Sequence, residues 1–175
     1  MELRTLGATG MRVSPLCLGT MMFGAIGNTD HDDCVRIIHR AIDAGINFID
    51  TADVYSHGES EEIVGKAIKG RRDGLIVATK FFNPMSQDPN HRGGSRRWIV
   101  QAVEDSLRRL GTDYIDLYQI HRYDADTDIE EVLFTLTELV RQGKIRQFGS
   151  SMFSADRIVE SHWAAERMGT LRFRC

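Results

Sequence analysis

The fold is decided by two apolar strand patterns, Asn47-Phe48-Ile49-Asp50-Thr51 and Leu75-Ile76-Val77-Ala78-Thr79-Lys80, and by the helical pattern between them. Residues 59–69 carry apolar side chains at the spacing of one helix face, namely Ile63, Val64, Ala67 and Ile68. A strand, a helix and a strand in succession predict two parallel strands joined by a helical crossover.

The same alternation continues on both sides of this unit. Upstream, Gly7-Ala8-Thr9-Gly10 lies between short alternating flanks and predicts a β-hairpin within residues 2–14. Further strands are predicted at residues 15–20, 114–121, 145–150 and 171–174, and further helices at residues 31–44, 95–110, 129–142 and 154–168. Asp30 is the predicted N-cap of the first helix, and Trp98 and Trp163 are expected to pack within the helical layer.

Two architectures fit such a pattern: an open doubly wound sheet and a closed (β/α)8 barrel. The length of 175 residues favours the open sheet, since a barrel usually needs about 250. Polar residues at successive strand ends (Asp50, Lys80, His121 and Ser150) favour the barrel, which gathers such ends at one rim. We therefore predict one α/β domain over residues 1–175, a TIM-barrel type that is incomplete. It would hold about five βα units and an N-terminal hairpin, and it would be truncated at its C-terminus within a sixth strand.

Composition excludes several classes of protein. A net charge of −3 gives no support for a nucleic-acid partner, and no apolar run is long enough to cross a membrane. The three cysteines lack the spacing of a zinc site or a disulfide framework, so no metal is predicted. With no signal peptide at the N-terminus, a cytoplasmic location is expected.

Four residues could act together: Asp50, Tyr55, Lys80 and His121. Taken singly, each has an ordinary reading: a loop cap, a packed ring, a solvated ammonium and a hydrogen-bonded imidazole. Carbonyl reduction would use all four, because it needs a hydride from a cofactor and a proton for the oxygen. A tyrosine can give the proton if an ammonium stabilises its phenolate, a carboxylate can hold that ammonium, and a histidine can hydrogen-bond the oxygen.

The motifs around these residues resemble those of the aldo-keto reductase family. They are residues 47–55, Ala78-Thr79-Lys80, Tyr118-Gln119-Ile120-His121 and the stretch 107–118. The resemblance runs from the hairpin to Met168, nearly the whole chain.

This resemblance implies an NADPH-dependent oxidoreductase that reduces aldehydes or ketones to alcohols. Tyr55 would be the proton donor, Lys80 and Asp50 would tune it, and His121 would orient the carbonyl. The implied cofactor-binding residues are Gly19, Thr20, Met21, Asp50, Ser150 and Ser151, the last standing where the family usually has asparagine. The partner would be a small-molecule carbonyl substrate, selected in part by the loop of residues 83–94.

Two other functions stay open at this point. Some members of the family serve as nicotinamide-binding accessory subunits of ion channels, and an intact tetrad is compatible with that role. The third reading is an inactive fragment, because the later units that grip the cofactor are missing from the sequence. Uncovered edges of the barrel would then favour self-association.

Overall fold

The computed structural model describes residues 1–175 and begins with a short β-hairpin. Its strands, β1 (Arg4–Thr5) and β2 (Arg12–Val13), are antiparallel. The hairpin predicted around Gly7 and Gly10 is thus confirmed, and both glycines have positive φ, which suits them to this turn.

Five parallel strands and five helices follow in strict alternation. The strands are β3 (Leu18–Gly19), β4 (Phe48–Asp50), β5 (Ile76–Phe81), β6 (Ile115–Ile120) and β7 (Ile145–Ser150). The helices are α1 (His31–Asp43), α2 (Glu59–Ile68), α3 (Arg96–Leu110), α4 (Ile129–Arg141) and α5 (Ala155–Met168), with short 3-10 segments at Tyr55–Gly58 and Arg72–Gly74. None of the five α-helices combines the length and the apolar character that a membrane crossing requires.

The order of the strands decides between the two predicted architectures. The sheet runs β3-β4-β5-β6-β7, which is also the order of the strands along the chain, and every pairing is parallel. A doubly wound sheet reverses direction at a switch point, whereas a barrel adds each strand beside the previous one. The chain therefore forms part of a (β/α)8 barrel.

The core lies between the sheet and the helices. It is one cluster of 29 buried residues, to which each helix contributes one face. The face predicted for α2 is confirmed, since Ile63, Val64, Ala67 and Ile68 are all at most 2% exposed. Local caps match the sequence as well, because the carboxylate of Asp30 accepts a hydrogen bond from the N–H of Asp33.

Two expectations were wrong. Trp163 does not pack in the helical layer: it is 62% exposed on the outer face of α5, whereas Trp98 is buried as predicted. The strand predicted at residues 171–174 is not formed. The N–H of Leu171 donates instead to the hydroxyl of Thr137, so only the end of the segment bonds to β7, through Arg174 and Cys175.

Candidate active site

The carboxyl ends of β4, β5 and β6 bring the four predicted residues to one rim. Lys80 is buried, 6% exposed, and its ammonium makes three contacts. Its Nζ donates to Asp50 Oδ2 at 2.6 Å and to the carbonyl of Thr51 at 2.8 Å, and it lies 3.4 Å from Tyr55 Oη. A charged lysine is stable at such a buried place only when it is paired, and Asp50 supplies the opposite charge.

A strained turn holds Tyr55 towards Lys80. The residues after it, Ser56 and His57, both have left-handed backbones with φ of 48° and 58°, which non-glycine residues rarely adopt. Ser56 anchors the turn, because its hydroxyl donates to the carbonyl of Phe23 at 2.8 Å and accepts from the N–H of Ile26 at 3.1 Å. Strain of this kind collects at functional sites, where the surrounding contacts hold it in place.

His121 completes the group from the other side of the phenol. Its ring meets that of Tyr55 edge to face, with 5.9 Å between centroids. Burial, together with the positive charges of Lys80 and Arg122, lowers the pKa of His121 to about 4 against a smaller opposing effect of Asp50. The imidazole is therefore neutral at pH 7.

The residues expected to bind the cofactor lie around the same rim. Gly19 leaves open space, since a Cβ there would meet nothing within 4 Å, and Met21 is 51% exposed on the following loop. Ser150 and Ser151 are half-buried, and their backbone N–H groups bond to the carbonyls of Cys175 and Ile120. Their side-chain hydroxyls make no hydrogen bond within the chain and are available to a ligand.

Thr20 is different because its hydroxyl is already used. The side chain is fully buried and bonds to the carbonyl of Asp50 at 3.1 Å and to the hydroxyl of Ser60 at 2.9 Å.

Serine hydroxyls both donate and accept, as a carboxamide requires, so the open rim and its donors fit a nicotinamide.

Sequence reasoning missed two polar neighbours of the four residues. Gln119 Nε2 lies 3.4 Å from Asp50 Oδ1, and a polar residue inside the apolar strand β6 was a signal for it. Asn83 Nδ2 lies 3.1 Å from His121 Nδ1. Nothing in the sequence pointed to that contact, since Asn83 belongs to a long loop with no periodicity.

A buried polar network on the helix side of the sheet was also missed. Glu61 is 0% exposed and accepts from Arg109 Nε at 2.7 Å and from the Thr79 hydroxyl at 2.5 Å. Asp53 is equally buried, and neither of its carboxyl oxygens has a hydrogen-bond partner. Burial, followed by the charge of Glu61, raises the pKa of Asp53 well above its usual value. Burial, followed by the charge of Asp53, does the same for the Tyr118 hydroxyl, which also lacks a partner.

Two cysteine thiols, those of Cys17 and Cys175, lie close enough to Asp50 to be affected by its charge. Burial around the thiol and the negative charge of Asp50 raise the pKa of Cys17 to about 12. The same two causes raise the pKa of Cys175. Because the thiolate is the nucleophile, a raised pKa lowers the reactivity of both thiols at neutral pH.

A cavity of about 370 Å³ lies between the loop after β5 and the loop after β6. It begins at Phe82, next to Asn83, and polar side chains form most of its wall, including Asn90, Arg92, Asp124 and Thr127. Part of the loop of residues 83–94 therefore lines a cavity, whose wall includes none of the four predicted residues.

Comparison with known proteins gives a consistent result. The model of the aldo/keto reductase family matches residues 15–172. The "Aldo-keto reductase YhdN" of Bacillus subtilis (strain 168) is 45% identical over 162 residues, which are 90% of this chain and 49% of that protein. The "Probable voltage-gated potassium channel subunit beta" of Oryza sativa subsp. japonica is 37% identical over 172 residues, 96% of this chain and 52% of that protein.

Among solved structures, the holo form of "aldo-keto reductase AKR11C1 from Bacillus halodurans" superimposes with a TM-score of 0.83 at 42% identity. The match covers 91% of this chain and 53% of that one. The chain thus spans about half the length of the relatives it matches.

Proposed function

The chain belongs to the aldo-keto reductase family, and from that premise we propose that it carries the catalytic rim of an NADPH-dependent reductase of aldehydes or ketones. The observation that supports the proposal most directly is the position of the Lys80 ammonium, 2.6 Å from Asp50 and 3.4 Å from Tyr55 Oη. This arrangement supplies a proton donor, a charge that stabilises its anion and a carboxylate that fixes the charge.

In the proposed reaction the substrate carbonyl lies between Tyr55 Oη and His121. Bound NADPH would supply the hydride that adds to the carbonyl carbon, with Gly19, Met21, Asp50, Ser150 and Ser151 holding its nicotinamide end. Tyr55 gives its proton to the oxygen, so that a C–H and an O–H bond form as the C=O π bond breaks. The resulting phenolate is stabilised by the neighbouring Lys80 ammonium.

His121 has a separate part in this reaction. Because it is neutral at pH 7, it offers a hydrogen bond to the carbonyl oxygen without offering a full positive charge. The edge-to-face contact of His121 with Tyr55, 5.9 Å between centroids, supports a shared role for the two groups. In the proposed reaction both donate to the same carbonyl oxygen.

A second candidate is a regulatory subunit that binds nicotinamide and hardly turns over. The likeness to a protein named as a probable potassium channel β subunit supports it. The two candidates differ in one measurable property: a reductase oxidises bound NADPH when an aldehyde is added, whereas a binding subunit retains it.

The test is NADPH oxidation by the purified chain with a reactive aromatic aldehyde, in wild type and two variants. Tyr55→Phe removes the proton donor and is expected to lower kcat by about 10²- to 10⁴-fold. Tyr114→Phe is the matched control. Its ring lies between Arg72 and Arg146 and keeps those contacts as phenylalanine.

Equal rates in wild type and Tyr55→Phe would overturn the assignment of the proton donor. A change of NADPH fluorescence on mixing, with no oxidation in any of the three proteins, would favour the regulatory subunit. If the chain neither binds nor oxidises NADPH, this chain alone is not the reductase.

A further inference from the structure

The proposed reaction gives a role to His121 but none to Asn83, whose side chain contacts it. The side-chain Nδ2 of Asn83 lies 3.1 Å from Nδ1 of His121, and both side chains are half-buried. The other ring nitrogen, Nε2, has no hydrogen-bond partner in the chain and is available to a ligand. The two nitrogens of His121 therefore have different surroundings.

The backbone before Asn83 is shaped for this contact. Phe82 has φ of 136°, a conformation that favours glycine, and its carbonyl accepts a hydrogen bond from the N–H of Gly93 at 2.7 Å. The bond closes the long loop on itself just where the chain leaves β5. A non-glycine residue held at such an angle directs the next side chain, and here that side chain is Asn83.

The chemistry of an amide restricts what His121 can be. An amide NH₂ only donates hydrogen bonds, so a ring nitrogen that faces it must accept and cannot carry a hydrogen. A neutral imidazole has a single N–H. With the amide NH₂ facing Nδ1, that hydrogen is carried by Nε2, the nitrogen without a partner in the chain.

Burial and the charged groups around the ring keep it neutral. Burial lowers the pKa of His121 most, the cations Lys80 and Arg122 add to that effect, and the anion Asp50 opposes it. Tyr55, on the 3-10 segment, is a further titratable neighbour. With the second proton disfavoured, the choice between the two tautomers is left to the hydrogen bond at Nδ1.

We propose that Asn83 is a positioning residue that fixes His121 as the Nε2–H tautomer, so that this hydrogen meets the carbonyl oxygen of the substrate. The opposite tautomer would present a lone pair to an oxygen that becomes negative during hydride addition. The consequence for catalysis rests on the proposed function, whereas the tautomer itself is a property of the free chain.

The test measures the protonation of the two ring nitrogens of His121 by ¹H–¹⁵N long-range correlation NMR, on histidine-labelled protein at neutral pH. The expected wild-type spectrum shows an unprotonated Nδ1 and a protonated Nε2. In Asn83→Asp a nearly isosteric carboxylate faces Nδ1 and can only accept, so Nδ1 is expected to become protonated and the pKa of His121 to rise. Asn83→Leu should leave a mixture of both tautomers.

The control is Gln87→Glu, which makes the same amide-to-carboxylate change at an exposed position of the same loop. It should leave the His121 signals as in wild type. A wild-type Nδ1–H, or an Asn83→Asp spectrum identical to wild type, would overturn the proposal.

Kinetics separates this inference from the proposed function. Losing a correctly placed donor to a developing oxyanion lowers kcat by about 10²- to 10³-fold. Asn83→Asp is expected to show such a loss, with little change of KM, at a pH high enough to keep its His121 ring neutral, because the imidazolium would still carry a hydrogen on Nε2. If the tautomer shifts but kcat does not, Asn83 sets the tautomer without a role in reduction. If the wild type is inactive while its Nε2 is protonated, the reductase proposal fails and the assignment of Asn83 stands.

Discussion

Replacing Arg109 with methionine would leave the Glu61 carboxylate buried without its cation. Glu61 is 0% exposed, and its Oε2 accepts from Arg109 Nε at 2.7 Å, while its other oxygen accepts from Thr79 on β5. Methionine matches the apolar stem of arginine, so packing is largely kept and the loss is electrostatic. Breaking a buried pair from one side costs about 3–5 kcal/mol, since the remaining charge is uncompensated.

The assay is equilibrium unfolding in urea followed by circular dichroism. With a typical m-value of about 2 kcal/mol per molar urea, the expected loss moves the midpoint of Arg109→Met down by about 1.5–2.5 M. The double variant Glu61→Gln with Arg109→Met removes both charges and should recover much of the loss, which is a direct test of coupling. It also covers the case in which the single variant does not fold at all.

Arg108 is the matched control, being the preceding residue of α3. It pairs with Asp105 at 2.7 Å, but its side chain is 70% exposed, so Arg108→Met should cost at most about 1 kcal/mol. If Arg109→Met cost no more than Arg108→Met, the reasoning about the Glu61 pair would be refuted.

Two further predictions concern stability. Burial and the charge of Glu61 raise the pKa of Asp53 in the folded state. As pH rises, the unfolded chain therefore loses this proton first, near the ordinary pKa of about 3.9. The free energy of unfolding of the wild type should then fall as pH rises from about 3.9 through the raised pKa. Asp53→Asn removes this loss. In urea unfolding, the difference in free energy of unfolding between variant and wild type should therefore change in favour of the variant from about pH 4 upward. A difference independent of pH would contradict the prediction. At the helix caps, Asp30→Ala should cost about 1 kcal/mol, because Asp30 caps α1 through its side chain, whereas Asp128→Ala should cost less, because Asp128 makes no such bond at α4. Equal losses of thermal stability in the two would show that the cap bond is not the cause.

Most of the fold could be predicted from the periodicity of apolar residues. The strand pattern at residues 145–150 coincides with β7, and the helix pattern at residues 59–69 differs from α2 by one residue. Trp163 was placed wrongly because periodicity fixes which residues share a face, and a large aromatic ring is not enough to show that its face is covered.

The convergence of Asp50, Lys80 and His121 was predictable because parallel strands end at a common edge. The network of Thr79, Glu61 and Arg109 was not, since it joins β5, α2 and α3, whose packing the sequence does not specify. The contact of Asn83 with His121 depends on a left-handed Phe82, for which no residue signal exists.

The order of the sheet has a consequence for how the chain is assembled. Because β3 to β7 lie side by side in the order in which they are synthesised, each new strand finds its partner one helix back along the chain. The loops that join neighbouring strands are of similar length, so the entropy lost in closing each of them is similar at every step. Every strand after β3 thus has a neighbour in the sheet that has already been translated when the strand itself leaves the ribosome.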